Sequence, residues 1–309
     1  MKTFDATPSK WTVYLAFAIV YIVWGSTYFF IQKALNGFPP FVLGTLRFIT
    51  AGLLMLSWCK LKGEQIFNLR TIKIAAVSGL LMLGLGNGIV IWVEQFISSG
   101  LVAIIVASAA MWFVILDKAK WKENFGNSYI LSGLIVGFLG VVLLFGTQLL
   151  DALNTPQGSK QLIGIILLVF GPIAWAGGSL YSKYNPTTSG SVSVNTGWQM
   201  LVAGFAFLPG ALLGKEFDKL DWGSIPVDAW LSIIYLVIFG SIAAFSAYVW
   251  LLKVRPATEV STYAYVNPVV AVLLSVTFAN EKIGWIQVLG LFVILSSILL
   301  INIPKYRKA

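Results

Sequence analysis

Residues 12–35 read TVYLAFAIVYIVWGSTYFFIQKAL and carry a single charge, Lys33, close to the end. As an α-helix this run is about 36 Å long, and the hydrocarbon core of a bilayer is about 30 Å thick. The run is therefore predicted to cross a membrane. The preceding MKTFDATPSKW lacks a short apolar stretch followed by a small-residue cleavage site. The first helix is accordingly expected to be retained rather than removed as a signal peptide.

Nine further apolar segments of similar length follow, at about 39–59, 72–94, 99–117, 128–147, 161–183, 194–214, 228–252, 257–279 and 283–303. The chain is 58% hydrophobic and only 11% charged, with mean hydropathy +0.85. A soluble domain carries about 25% charged residues, so this chain cannot coat a water-facing surface. The expected fold is all-α and polytopic, with ten transmembrane helices. The longest polar connectors, Thr147–Lys160 and Lys215–Pro226, hold at most a short interfacial helix.

Composition also removes functions. Histidine is absent, so imidazole cannot ligate zinc, complete a Ser-His-Asp triad or shuttle protons. One cysteine, Cys59, allows no internal disulfide. No cofactor or metal is expected. The net charge of +9 lies in short runs between apolar segments rather than in a basic domain, so no nucleic-acid partner is expected. With the N-terminus in the cytoplasm, fifteen of the 21 Lys and Arg fall on inside segments. Five fall outside, at Lys33, Lys160, Lys215, Lys219 and Lys282, and Arg47 lies within a span. This asymmetry, with Glu216, Asp218, Asp221 and Asp228 outside, places both termini in the cytoplasm, as an even number of spans requires.

The chain also resembles itself at an offset of about 151–158 residues. Trp24-Gly25-Ser26 matches Trp175-Ala176-Gly177, and Trp92 falls on Trp250. Ser98 falls on Pro256, Ala110 on Pro268, Glu123 on Glu281 and Gly126 on Gly284. Two five-helix repeats, 12–147 and 161–303, follow. Because five is odd, the second enters the membrane upside down, an arrangement that builds transporters with a site between the halves.

Several motifs resemble those of the EamA-type permeases of the drug/metabolite transporter superfamily. They are Trp24-Gly25-Ser26, Gly37-Phe38-Pro39-Pro40 followed by Leu46-Arg47-Phe48, Ser98-Ser99-Gly100-Leu101, Asn267-Pro268 and Asn280-Glu281-Lys282. The resemblance covers nearly the whole chain, in two copies. It implies a central cavity lined mainly by spans one, three, four, six, eight and nine. It also implies residence in a bacterial or archaeal inner membrane, and movement of amino acids, sugars or other small metabolites, often outward. One departure stands out. Copies in this family usually carry a proline midway along their fourth helix, but the first copy has Ala110. Only Pro268 is placed to break its helix, so the halves are expected to bend unequally.

Candidate binding residues follow from helical spacing. Tyr14, Phe17, Tyr21, Trp24 and Tyr28 share one face of span one, either as a stacking wall or as ordinary packing. Trp24 and its repeat partner Trp175 lie mid-span and are cavity candidates. In span nine, Glu259, Tyr263 and Asn267 share a face. Asn267 is either a ligand contact or an interhelical hydrogen bond, and Pro268 frees the Ala264 carbonyl. Asn87, Ile91 and Glu94 share a face of span three among Gly84, Gly86 and Gly88, glycines expected to serve packing. Ser108 and Trp112 in span four, and Ser241, Phe245 and Tyr248 in span eight, complete the set. Gly133-x-x-x-Gly137 reads as a packing motif. Arg47 either grips a substrate carboxylate through its planar fork or reaches for solvent or neighbouring carbonyls.

The expected activity is secondary transport of a small solute, an amino acid or similar, and the resemblance implies export. The chain has no phosphate-cradling Gly-x-x-x-x-Gly-Lys loop. Proton coupling would fall to Glu94 or Glu259, and uncoupled exchange is equally open. The alternative is a membrane-embedded enzyme acting on a lipid-linked substrate. That chemistry needs convergent acid and base groups, whereas the intramembrane acids are few and lie near helix ends. The expected partners are a small-molecule substrate and the lipid bilayer, with monomer and homodimer both open.

Overall fold

The computed structural model describes residues 8–97, 99–144, 146, 150, 154, 158–186, 191–278 and 284–306. Lys2, Ser98, Asn280-Glu281-Lys282, Arg307 and Lys308 lie outside the described residues, as does most of the 147–157 connector. Helices occupy each of the ten apolar segments. They are α1 (Lys10–Leu35), α2 (Pro40–Leu61), α3 (Leu69–Val93), α4 (Ser99–Ala107 then Ala109–Leu116) and α5 (Ser128–Leu144). The second half holds α6 (Ser159–Tyr184), α7 (Val192–Leu213), α8 (Val227–Val254), α9 (Ala257–Val260 then Tyr263–Phe278) and α10 (Trp285–Tyr306).

Among the described residues, seven of these helices are long and apolar enough to cross a bilayer alone. An eighth span is Val102–Leu116 taken with Lys118–Phe125, which bends away by 64°. Helix α5 has 17 residues and the main part of α9 has 16, so each is about 24–26 Å long. Leu53, Leu54, Trp58, Ile135, Leu139, Phe170, Phe292 and Leu299 all point outward and are exposed. Such a surface is tolerable only against lipid. The protein is an all-helical, multi-pass membrane protein.

Helix starts follow local chemistry. Ser9 accepts the Thr12 N–H, Asn68 accepts that of Thr71, and Ser191 that of Val194. Helix α2 opens on Pro39-Pro40, which supplies no side-chain cap. Glu216, from the connector after α7, takes that role. Its Oε2 accepts the N–H groups of Phe41 (2.9 Å) and Val42 (3.0 Å).

Packing obeys an exchange of halves. Helix α2 lies along α7, and α5 lies along α10. Helix α1 packs on α8 and α9, while α6 packs on α3 and α4. Exchanging each helix with its counterpart five places on returns the same set of pairs, as two inverted repeats require. Glycine permits the closest approaches. A Cβ on Gly204 of α7 would lie 2.6 Å from the Ile49 backbone nitrogen of α2. One on Gly137 of α5 would lie 2.6 Å from Ser297 Oγ of α10. Lipid tails are as apolar as leucine, so such contacts, rather than a hydrophobic drive, hold helices together.

Two features were not legible beforehand. Residues Leu80–Asn87 of α3 and Leu236–Phe245 of α8 are wound as π-helix, at matching places in the two repeats. The breaks in α4 and α9 also differ from the proline-based expectation. Helix α9 runs from Tyr263 through Pro268 to Phe278, and its interruption lies earlier, at Ser261–Thr262. There the Ser261 and Thr262 hydroxyls donate to the Thr258 and Glu259 carbonyls, competing with the helical N–H groups. Helix α4 has no proline yet is interrupted at Ser108, where the backbone tightens into three-residue turns. Both halves are broken, and neither at the Ala110/Pro268 position.

Replacing Gly204 by valine is expected to force α2 and α7 apart and to cost about 1–3 kcal/mol. A lowered thermal unfolding midpoint in nanodiscs would show it. Gly84→Ala, whose added Cβ would meet nothing nearer than 3.7 Å, is expected to leave the midpoint unchanged or slightly raised.

Candidate functional site

Helices α1, α3, α4, α6, α8 and α9 surround a chamber, with α2 contributing Arg47 and Phe48. On α1 the wall runs from Trp24 to Ile31, and on α3 from Leu83 to Val90. The chamber thus begins near mid-span and extends toward the α1–α2 connector. Its volume, traced by the centre of a water-sized sphere, is about 80 Å³. At about 10–15 Å³ per water on that measure, it has room for a solute of roughly five to eight non-hydrogen atoms.

Its floor is aromatic. Trp24 meets Trp175 edge to face at 5.4 Å and Tyr263 at 5.1 Å, with Tyr248 at 4.9 Å. Hydrogen bonds hold these rings. Trp24 Nε1 donates to the Gly240 carbonyl (3.1 Å) in the π-wound part of α8. Trp175 Nε1 donates to Tyr248 Oη (3.0 Å), which also bonds Ser179 Oγ (2.6 Å). Buried polar atoms without partners are costly, so this network fixes ring orientation as well as packing.

Of the residues predicted from spacing, Trp24, Tyr28, Asn87, Trp175, Tyr263, Asn267 and Arg47 come together on the chamber wall. With its amide oriented to donate, Asn267 gives hydrogen bonds to the carbonyls of Tyr21 (3.3 Å) and Tyr263 (3.1 Å), the interhelical reading of that residue. Tyr14 is exposed, and Tyr21 is bonded to Thr262 Oγ1 (2.6 Å), so the span-one stripe divides between belt, packing and wall. Three residues stand elsewhere among the described ones. Tyr248 is fully buried behind Trp175 and is not on the wall. Ser108 and Trp112 do not reach it either, because α4 presents Val106 and Ala109. At about 100° per residue, Ser108 and Trp112 point roughly 90–130° away from that direction.

Glu94 and Glu259 are likewise not on the wall. Glu94 is only 6% exposed, so it is not a solvated charge at the mouth. Its charge acts on Arg47 and Tyr28. Ser241 and Phe245 of the span-eight set also line the chamber, whereas lining such as Thr27, Ile31, Val106 and Leu168 gave little signal in sequence, because nothing in its spacing separates a chamber wall from a helix interface.

Both ends of the bundle are tied. Toward the α1–α2 connector, Ser26 Oγ bonds Tyr235 Oη (2.7 Å), Phe30 stacks on Tyr235 at 3.9 Å, and Lys33 pairs with Asp228 at 3.4 Å. At the opposite end, Tyr184 donates to Asp117 (2.5 Å), while Lys183 Nζ donates to the Leu252 carbonyl and to that of Arg255 (2.7 Å).

Two inverted helical halves closing on a shared mid-membrane chamber define a membrane transporter. Comparison with known proteins agrees. The model of the EamA-like transporter family matches residues 11–146 and again 162–303. The inner membrane transporter YedA of Escherichia coli K12 is 34% identical over 290 residues, 93% of this chain and 89% of YedA. The transporter YvbV of Bacillus subtilis is 23% identical, covering 96% of this chain and 93% of its own. A solved crystal structure superposes with TM-score 0.75 at 15% identity, over 97% of this chain and 99% of the other, which concerns the fold alone. This chain belongs to the EamA-like transporter family, a family of transporters rather than enzymes.

Changing Tyr248 to phenylalanine is expected to strand Trp175 Nε1 against an apolar ring, at about 1–3 kcal/mol, while Ser179 Oγ keeps its bond to the Trp175 carbonyl. The check is thermal unfolding, with Trp112→Phe as a replacement away from the wall that should leave any ligand-induced shift intact.

Proposed function

We propose that this protein is a secondary transporter that carries a small organic solute, an amino acid or similar metabolite, across the inner membrane by alternating access. Both termini lie in the cytoplasm, and the physiological direction is outward. The observation that carries this reading is the chamber itself, walled by both repeats and tied shut at both ends. The α2/α7 and α5/α10 pairs, locked by glycine contacts, act as rigid supports. The six remaining helices rearrange around the solute, with the π-wound parts of α3 and α8 as sites where helix winding changes. π-Helical turns concentrate at functional sites for that reason. Release on one side requires the Lys33–Asp228 and Tyr235 ties to part. Release on the other requires the Asp117–Tyr184 and Lys183 ties to part.

Location and topology are supported by the excess of Lys and Arg on one set of connectors and by the inner-membrane designation of YedA. The outward direction rests on the resemblance to EamA-type permeases. With no phosphate-cradling loop, the movement draws on a gradient rather than on ATP.

Proteoliposomes are expected to show saturable solute flux and counterflow, reduced about tenfold or more by Trp24→Ala and by Trp175→Ala. A broad metabolite panel giving no saturable flux overturns the assignment. Topology is checked independently, in a Cys59→Ala background, with single cysteines at Glu64 and Asp218. The two are expected to label from opposite sides, and labelling from the same side refutes the inverted arrangement.

A further inference from the structure

We infer that Arg47 is the anchor for an anionic solute, and that the chamber takes a small organic monocarboxylate that also carries a hydrogen-bond donor. The inference rests on the transport reading above and narrows its solute class.

Arg47 sits two turns into α2 and is only 3% exposed, so its guanidinium has neither solvent nor headgroups to meet. Nε donates to Ser241 Oγ at 2.9 Å, and the group lies over the Phe48 ring at 4.8 Å. Those two contacts fix its plane. Nη1 is buried without a hydrogen-bond partner, and Arg47 makes no ion pair among the described residues. A guanidinium always carries its charge and presents a rigid fork of donors, so an unsatisfied edge on a residue that lines the chamber is a seat a carboxylate can take. Snorkelling does not explain it, because the side chain turns inward to Ser241 of α8.

The size of the charge follows from the wall. Arg47 is the one charged residue among the described lining, so its single fork seats one carboxylate. Because the charge of Glu94 already acts on Arg47, a second negative group on the solute has nothing to offset it. The rest of the solute meets Trp24, Trp175, Tyr263 and Phe245, which accept an apolar or flat carbon body. On α3, which also lines the chamber, Asn87 Oδ1 is buried and without a partner among the described residues. It is an acceptor, so it is satisfied by an N–H or O–H group on the solute. Together these partners suit a short hydroxy or amino acid.

The test uses the full-length protein in nanodiscs and in proteoliposomes. Probes are lactate, alanine and propionate, each beside its amide. Lactate and alanine are expected to raise the melting point and to show saturable flux, while lactamide and alaninamide do neither. Arg47→Lys, which keeps the charge but loses the fork, should weaken lactate binding about tenfold or more, and Arg47→Gln should abolish it. Asn87→Leu should weaken lactate several-fold more than propionate. Acids and amides binding equally well to the wild type overturn the proposal, even if the Arg47 variants fail to fold. So does Arg47→Gln that folds and binds lactate unchanged. Saturable flux of neutral solutes alone removes the anion seat and leaves the transport reading standing. Specific acid binding without flux removes the transport reading and leaves the seat. Neither binding nor flux of any probe removes the proposed solute class.

Discussion

A bilayer interior offers no water to a polar group, and every part of this structure answers to that constraint. Backbone N–H and C=O groups are consumed within helices, and breaks are repaired locally, as the Ser261 and Thr262 hydroxyls do in α9. Side chains that cannot be satisfied within one helix must face another helix or a cavity. Arg47, Asn87 and Asn267 all line one chamber, and Glu94 lies close enough to act on Arg47. The same constraint that makes the outside apolar therefore gathers the chemistry inside.

Inverted repetition decides which helices do what. The α2/α7 and α5/α10 pairs are each formed by a helix and its own counterpart, and glycines bring their backbones within touching distance. Helices α1, α3, α4, α6, α8 and α9 supply most of the chamber wall. Symmetry holds for the scaffold and for the Trp24–Trp175 floor. It fails at the charge, since α7 carries no arginine to match Arg47 of α2. The helix frame repeats, but the chamber does not: its wall runs from Trp24 to Ile31 on α1 and from Leu168 to Trp175 on α6, and its charge lies on one half.

Polar connectors close the structure at its ends. Glu216 reaches from the second repeat to the uncapped start of α2 in the first, joining two halves through a single carboxylate. Lys183, Tyr184 and Asp117 bind the opposite ends of α4, α6 and α8. Glu216 and Asp117 are themselves buried at these ends, at 8% and 2% exposure, so their bonds are sheltered as well as local.

The membrane setting, the helical segments and the two repeats could all be read along the chain. Each depends on local length, hydropathy and self-similarity along the chain, as with residues 12–35 or the Trp24/Trp175 match. Helical periodicity also placed Trp24, Tyr28 and Tyr263 on inward faces. Only the tertiary structure decided that Ser108 and Trp112 turn away from the chamber while Val106 and Ala109 line it. It also decided that Tyr248 supports Trp175 from behind, and that Pro268 leaves α9 unbroken. These depend on helix rotation, and π-wound turns such as Leu80–Asn87 reset that phase without a sequence mark. Packing against neighbours, not the residues themselves, chooses which face each helix shows.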